Sequence, residues 1–275
     1  MSATNNKAAF LGFLGDSEFA EGQLVANGFE IHGFSARSPH KQTDNEDSAL
    51  AMSYGENGVI LAVADGAGGL PAGRKASNTL IETFIEMLPD AAQAAMPMRV
   101  AIISAIEESN RRIQEFSNGS ATTLTVAGIE GDELRHYQIG DSVAYLVGQR
   151  GKLKTQTMQH SPVGFAVEAG LMDEKEAMTH EDRHYVSNFV GIAGMRIEVG
   201  SAIRISARDT ILVASDGLAD NLHIGEIIDI ARAGPLGQCA EELGEASLAR
   251  MTMPAANSPS KADDLTVLIA RRCRT

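Results

Sequence analysis

The 275-residue chain has few cysteines, a deficit of basic residues and no long apolar run. Its two cysteines, Cys239 and Cys273, lie outside any C-x-x-C pair and cannot form a disulfide framework, so a reducing cytoplasm is expected. No segment approaches the roughly 20 apolar residues of a transmembrane helix. The 23 basic against 36 acidic residues give a net charge of −13, which disfavours nucleic acid or an anionic membrane as a partner. We expect a soluble, cytoplasmic protein.

The composition that remains is that of a globular domain. Hydrophobic residues make up 44% and charged residues 21%, which argues against disorder or a fibrous fold. At roughly 150 residues per domain the length allows one or two domains, and no linker-like segment divides the chain. Residues 1–27 show no long hydrophobic period. We therefore predict an N-terminal extension over 1–27, with one short helix, and one domain over 28–275.

The hydrophobic pattern predicts strands, then two helices, a run of strands, two more helices and a last strand. The predicted helices cover 72–88, 97–116, 224–233 and 235–251, with Pro89 and Pro97 as breaks. The predicted strands cover 28–37, 47–52, 58–64, 122–129, 133–139, 142–147, 153–158, 202–205, 210–214 and 265–270. Turns as short as 130–132 require antiparallel neighbours. This order excludes a doubly wound parallel sheet and predicts an α+β sandwich with the helices outside.

Two apolar runs end abruptly in Asp-Gly, at Asp65-Gly66 and at Asp216-Gly217. A single pair of this kind is usually only a turn or a helix cap. Three further acidic motifs accompany them: Asn45-Glu46-Asp47, Gly140-Asp141-Ser142 and Asp263-Asp264. If these carboxylates converge, their repulsion needs cations, and hard divalent ions prefer oxygen ligands. Two such ions about 3.5–4 Å apart would hold a nucleophilic water and receive a phosphate ester.

These five motifs, in this order, resemble the bacterial form of the PP2C (PPM) family of metal-dependent protein phosphatases, over almost all of residues 28–272. The resemblance implies a four-layer αββα sandwich, two antiparallel sheets flanked by helix pairs. It implies hydrolysis of phosphoserine and phosphothreonine in proteins by a water activated between two divalent metals. It also implies two or three Mg²⁺ or Mn²⁺ ions per chain, phosphoprotein substrates, an opposing serine/threonine kinase and a monomer. Residues 173–191 resemble the flap of the family.

The resemblance also assigns roles residue by residue. The implied metal ligands are Asp65, Gly66, Asp216, Asp263 and Asp141. Asp65 would bridge two ions, and Gly66 would bind one of them through its carbonyl oxygen. Asp141 would bind a third ion together with Asp216. The implied catalytic acids are Asp65, Glu46 and Asp47. The last two would act close to the metals, largely through bound water. Asp264 stands where the family usually has Asn, which leaves open which of the adjacent pair binds metal.

The phosphate-binding position departs from the family pattern. Gln42 stands three residues before Asn45, where the family usually has an Arg that grips the phosphate. Arg37 or Lys41 would have to substitute for it, although a lysine lacks the bidentate fork of arginine. Gln42 thus leaves open an alternative, a PP2C-fold protein that binds phosphoproteins or regulates them with weak catalysis.

A remote alternative is a zinc hydrolase. His180, Glu181 and His184 match the string H-E-x-x-H, which on a helix places two imidazoles on one face with a glutamate base. So short a string often occurs by chance, and no third ligand follows it. The same residues lie inside the segment that resembles a flap.

Overall fold

A computed structural model of the chain describes residues 8–67, 71–178, 180–183, 185–254 and 258–273. The strands are β1 (Phe10–Phe13), β2 (Phe19–Ala26), β3 (Phe29–Ala36), β4 (Asp47–Tyr54), β5 (Gly58–Ala67), β6 (Ala121–Thr122), β7 (Leu124–Glu130), β8 (Glu133–Ile139), β9 (Val143–Val147), β10 (Leu153–Gln156), β11 (Glu198–Val199), β12 (Ile203–Arg204), β13 (Thr210–Ala214) and β14 (Leu265–Arg272). The helices are α1 (Pro71–Gln93), α2 (Met98–Gln114), α3 (Pro162–Glu168), α4 (Glu174–Ala177), α5 (Asp216–Ala219), α6 (Ile224–Ala231) and α7 (Leu236–Thr252).

The strands form two sheets in which the neighbouring strands pair antiparallel. The first sheet has the order β1-β4-β5-β7-β8-β11, with β6 beside β5 and β12 beside β8. The second has the order β10-β9-β13-β14-β3-β2. The predicted antiparallel pairing is confirmed.

Three layers of apolar side chains hold the molecule together. One lies between the first sheet and α1 and α2, one between the two sheets, and one between the second sheet and α6 and α7. In β5, Ile60 and Ala62 face the helices, while Leu61 and Val63 face the other sheet. Burial of both faces explains why β5 is a continuous apolar run instead of an alternating one. The α+β, four-layer αββα sandwich predicted from the sequence is confirmed.

The short helix expected within residues 1–27 is wrong for the described residues 8–26. That segment instead supplies β1, which pairs with β4, and β2, which pairs with β3. Both strands lie at sheet edges, where every second side chain faces solvent, and Phe10 and Phe19 are themselves exposed. Their hydrophobic pattern is weak for that reason. The boundary between an extension and a domain at residue 28 stays a prediction.

The helices also differ from prediction at particular points. Pro89 lies inside α1, which continues to Gln93, because a proline removes one backbone hydrogen bond without always ending a helix. The short helices α3, α4 and α5 were not predicted; in α3 the Ser161 hydroxyl caps the helix by accepting from the Gly164 amide at 2.8 Å. No helix among the described residues is both long and apolar enough to cross a bilayer.

Candidate metal centre

The acidic residues predicted to form a site come together where strands of both sheets end. The register of β4 and β5 places Asp47 directly opposite Asp65. On the second sheet, Asp216 follows β13 and begins α5, while Asp263 lies just before β14, the neighbour of β13. The charge of Asp65 interacts with those of Asp47, Asp216, Asp263 and Asp141. Both sheets thus contribute carboxylates to one acidic cluster.

The cluster carries more negative charge than the surrounding protein stabilises. Burial, and then the charges of Asp47 and Asp216, raise the pKa of Asp65 well above its usual value. Burial and the charge of Asp264 also raise the pKa of Asp47 well above its usual value. Burial and the charge of Asp216 raise the pKa of Asp141 in the same way. Burial, with repulsion from Asp216, raises the pKa of Asp263 to about 6. The group as a whole therefore favours a bound proton or a bound cation.

Several oxygens of this cluster are buried without a hydrogen-bond partner in the described part of the chain: both carboxylate oxygens of Asp47, Oδ1 of Asp216 and Oε1 of Glu46. A buried polar group left unpaired costs about 1–3 kcal/mol, so such groups in a native protein point to a ligand. Carboxylate oxygens suit a hard divalent cation. No three Asp, Glu, His or Cys side chains of the described residues are grouped to hold one ion by themselves. The donors of the cluster are carboxylate oxygens, which suit Mg²⁺ with its bound waters better than the nitrogen and sulfur ligands of a closed zinc site do.

Two glycines bring the start of α1 against the end of β5. A Cβ atom built on Gly73 would lie 2.6 Å from Glu46 Oε1 and 2.7 Å from the carbonyl oxygen of Gly66. One built on Gly66 would lie 2.5 Å from the carbonyl oxygen of Gly73. The Gly66 amide donates to the carbonyl of Glu46 at 3.1 Å. The close approach requires glycine at both positions. Gly73 was not identified from the sequence as part of the site. The one signal that could have indicated it is the presence of a glycine in the first turn of a predicted helix.

Asp264 is already occupied by hydrogen bonds. Its Oδ1 accepts from the Ser38 amide at 2.7 Å, and its Oδ2 accepts from the Glu46 amide at 2.7 Å and from Lys41 Nζ at 2.5 Å. These bonds tie the 38–46 loop to the start of β14. The adjacent Asp263 accepts one backbone amide, that of Asp264, through Oδ1 at 2.9 Å, and its Oδ2 lies 3.0 Å from Lys261 Nζ. Asp264 is therefore held by more backbone amides of the described residues than Asp263 is.

Only one of the three residues predicted to bind phosphate reaches the cluster. Lys41 Nζ lies 2.9 Å from Glu46 Oε2; burial alone would lower its pKa, but hydrogen bonds to Asp264 and Glu46 raise it. Arg37 instead pairs with Glu18 at 2.7 Å, and the exposed Gln42 donates to the carbonyl of His40 at 3.3 Å.

Lys261 is a member of the cluster that sequence reasoning missed. Its Nζ lies 2.5 Å from Asp216 Oδ2 and 3.0 Å from Oδ2 of both Asp220 and Asp263. Burial opposes its charge, but these three carboxylates raise the pKa of Lys261 far above its usual value. No motif marks Lys261; only its place two residues before Asp263 hinted at a role.

The helix required by the zinc alternative is not found at the described residues 180–183, which form a turn after α4. There the Asp182 amide donates to His180 Nδ1 at 3.1 Å. His184 lies outside the described residues.

The chain is similar to several known proteins. The family model described as protein phosphatase 2C matches residues 36–249. The serine/threonine phosphatase stp of Listeria welshimeri is 29% identical over 241 residues, which cover 83% of this chain and 90% of that protein. The crystal structure of the serine/threonine phosphatase PstP/Ppp of Mycobacterium tuberculosis has a TM-score of 0.74 at 26% identity, covering 90% of this chain and 99% of that one.

A further solved structure contains metal. It is the catalytic domain of the serine threonine protein phosphatase PstP in complex with two manganese ions, with a TM-score of 0.68 at 25% identity, covering 90% of this chain and 99% of that one. The match of the family model extends over most of the chain and includes the ends of β4, β5 and β13, where the acidic cluster is built. This chain belongs to the protein phosphatase 2C family.

Proposed function

We propose that this chain is a metal-dependent protein phosphatase that hydrolyses phosphoserine and phosphothreonine. The observation that carries the proposal is the set of buried, unpartnered carboxylate oxygens on Glu46, Asp47 and Asp216 at the meeting point of the two sheets. Membership of the family supports the same activity, and relatives in that family are named serine/threonine phosphatases.

The residues that would hold two divalent ions lie in the acidic cluster, where the charge of Asp65 interacts with those of Asp216 and Asp263. Asp65 would bridge the ions and the Gly66 carbonyl would bind one, while Asp216 and Asp263 would serve the other. Bound Mg²⁺ or Mn²⁺ would lower the pKa of a water and offset the charge of a phosphate. Asp264, whose oxygens already accept three hydrogen bonds, would act as a structural residue.

The remaining residues position the reactants. Glu46 Oε1 and both Asp47 oxygens, which are buried without a partner among the described residues, would accept hydrogen bonds from water and so orient a nucleophile at the strand ends. A lysine ammonium has three donors, and Lys41 uses its donors on Glu46 and Asp264, so one remains for a phosphate oxygen. The proposal extends to phosphoproteins of the cytoplasm as substrates, to an opposing serine/threonine kinase, and to action as a monomer.

The alternative of a phosphoprotein-binding or regulatory member with weak catalysis rests on Gln42. The side-chain amide of Gln42 donates to the carbonyl of His40 and does not reach the cluster. The guanidinium of Arg37 is paired with Glu18, so it does not replace the missing arginine. Under this alternative the ions bind but turnover stays low.

The test is hydrolysis of p-nitrophenyl phosphate and of a phosphothreonine peptide with Mn²⁺, with and without EDTA. We expect turnover that EDTA abolishes and that Asp65→Asn lowers by more than about 100-fold. Asp132→Asn, an exposed acid paired with Arg272, and His180→Ala serve as controls that keep full activity. Turnover that survives both EDTA and Asp65→Asn would refute the proposal. Tight Mn²⁺ binding without turnover would favour the alternative of a binding or regulatory protein. Loss of hydrolysis in His180→Ala would favour the zinc hydrolase.

A further inference from the structure

The ammonium of Lys261 neutralises part of the charge of the acidic cluster. Three oxygens from three different acids, Asp216, Asp220 and Asp263, lie within 3.0 Å of its Nζ. The side chain is 23% exposed, so most of this contact is shielded from water. A lysine head is a compact point charge with three donors, which matches three carboxylate oxygens.

The backbone of Lys261 is fixed in place. The fully buried Asn221 accepts from the Lys261 amide through Oδ1 at 2.9 Å and donates to the Lys261 carbonyl through Nδ2 at 2.8 Å. The same Nδ2 donates to the carbonyl of Gly217 at 2.9 Å, next to Asp216. Asn221 therefore holds Lys261 against α5, the helix that begins with Asp216.

The two oxygens of Asp216 consequently differ. Oδ2 is bonded to Lys261, whereas Oδ1 is buried with no partner in the described part of the chain and stays open to an ion. Asp141, the other acid of the implied third metal site, also lies within range of the Lys261 charge. An ion seated between Asp141 and Asp216 Oδ2 would have to displace the ammonium or lie beside it, against the repulsion of like charges.

We propose that Lys261 is a tethered cation that takes the place of the third divalent ion at Asp216, so that this chain binds two divalent ions instead of three. This inference rests on the proposed function, since it concerns the same centre. The lysine supplies one positive charge that is part of the fold and does not depend on the metal concentration.

The experiment counts Mn²⁺ ions bound per chain by equilibrium dialysis at saturating Mn²⁺, with free Mn²⁺ read by its paramagnetic resonance signal. We expect two ions on the wild-type chain, three on Lys261→Met and two on Lys261→Arg, which keeps the charge. Lys154→Met is the matched control and should bind two. Lys154 is 25% exposed and pairs with Asp209 at the opposite end of β13.

The number of bound Mn²⁺ ions decides the inference. Three ions on the wild-type chain would overturn it, and so would an unchanged count on a folded Lys261→Met chain. If Lys261→Met does not fold, the wild-type count and Lys261→Arg still decide between two ions and three. Mn²⁺-dependent hydrolysis with three wild-type ions would reject only the role of Lys261. A wild-type chain with neither bound Mn²⁺ nor hydrolysis would reject the proposed function, and this inference with it.

Discussion

Gly73 offers a sharp test of how the start of α1 supports the metal centre. Gly73→Ala adds one methyl group 2.6 Å from Glu46 Oε1, 2.7 Å from the Gly66 carbonyl oxygen and 2.9 Å from the Gly66 carbonyl carbon. Two of these three atoms are backbone and cannot rotate away. Either the first turn of α1 moves outward, or Glu46 and the end of β5 shift.

The change in the free energy of unfolding caused by Gly73→Ala is the sum of two opposing effects. Replacing a helical glycine by alanine normally stabilises by about 0.5–1 kcal/mol. Overpacking costs about 1–3 kcal/mol, and immobile backbone atoms place this site near the upper end. We expect a net loss of roughly 2 kcal/mol in the free energy of unfolding, measured by urea denaturation in EDTA. Displacement of Glu46 and Gly66 should also weaken Mn²⁺ binding by about tenfold or more.

Gly225→Ala is the matched control. Gly225 also lies in the first turn of a helix, α6, but a Cβ atom there would have no neighbour within 4 Å among the described residues outside its own helix turn. This variant should gain about 0.5–1 kcal/mol and keep its Mn²⁺ affinity. A Gly73→Ala chain that gains stability as Gly225→Ala does, with unchanged Mn²⁺ affinity, would refute the close packing of α1 on the site.

Three further predictions concern the acidic cluster. In EDTA, the stability of the wild-type chain relative to Asp263→Asn should fall as pH rises from about 4 to 6. The pKa of Asp263 is about 6 in the folded state against 3.8 for an ordinary aspartate, so the folded state binds more protons than the unfolded state over this interval. A rise in relative stability over the same interval in thermal melts would contradict this. Gln42→Arg should lower KM for a phosphothreonine peptide several-fold through a bidentate contact, with Gln42→Ala as control; equal KM values would place the phosphate elsewhere. Asp264→Asn should lower the free energy of unfolding by about 1–3 kcal/mol in urea denaturation, because it weakens the hydrogen bonds to Lys41 and to two backbone amides. The variant should bind as many Mn²⁺ ions as the wild-type chain. A lower number of bound ions would make Asp264 a metal ligand.

The parts of the fold that the sequence predicts well are those buried on both sides. Strands β8 and β13 match their predicted ranges, and β5 begins where predicted and continues beyond Ala64 to Ala67. An apolar run that ends in Asp-Gly is visible without knowledge of the fold, and this signal located Asp65 and Asp216. The edge strands β1 and β2 gave no comparable signal, because solvent covers one face of each.

The contacts that complete the centre depend on residues distant in the sequence. Lys261 reaches Asp216 only because Asn221, forty residues away, bonds to its backbone. The preference for Asp263 over Asp264 as a ligand rests on the amides of another loop that bond to Asp264, and the order of two identical adjacent residues does not reveal these bonds. Likewise Gly73 owes its constraint to Glu46 and Gly66, which lie in other elements.

The acidic cluster joins the two halves of the sandwich. Asp47 and Asp65 belong to one sheet, while Asp216 and Asp263 flank strands of the other. An ion shared between them would also be a cross-link across the interface between the sheets, at one end of it. Opening the sandwich from that end would require the ion to leave first, so the supply of metal would govern the lifetime of the folded protein as well as its chemistry.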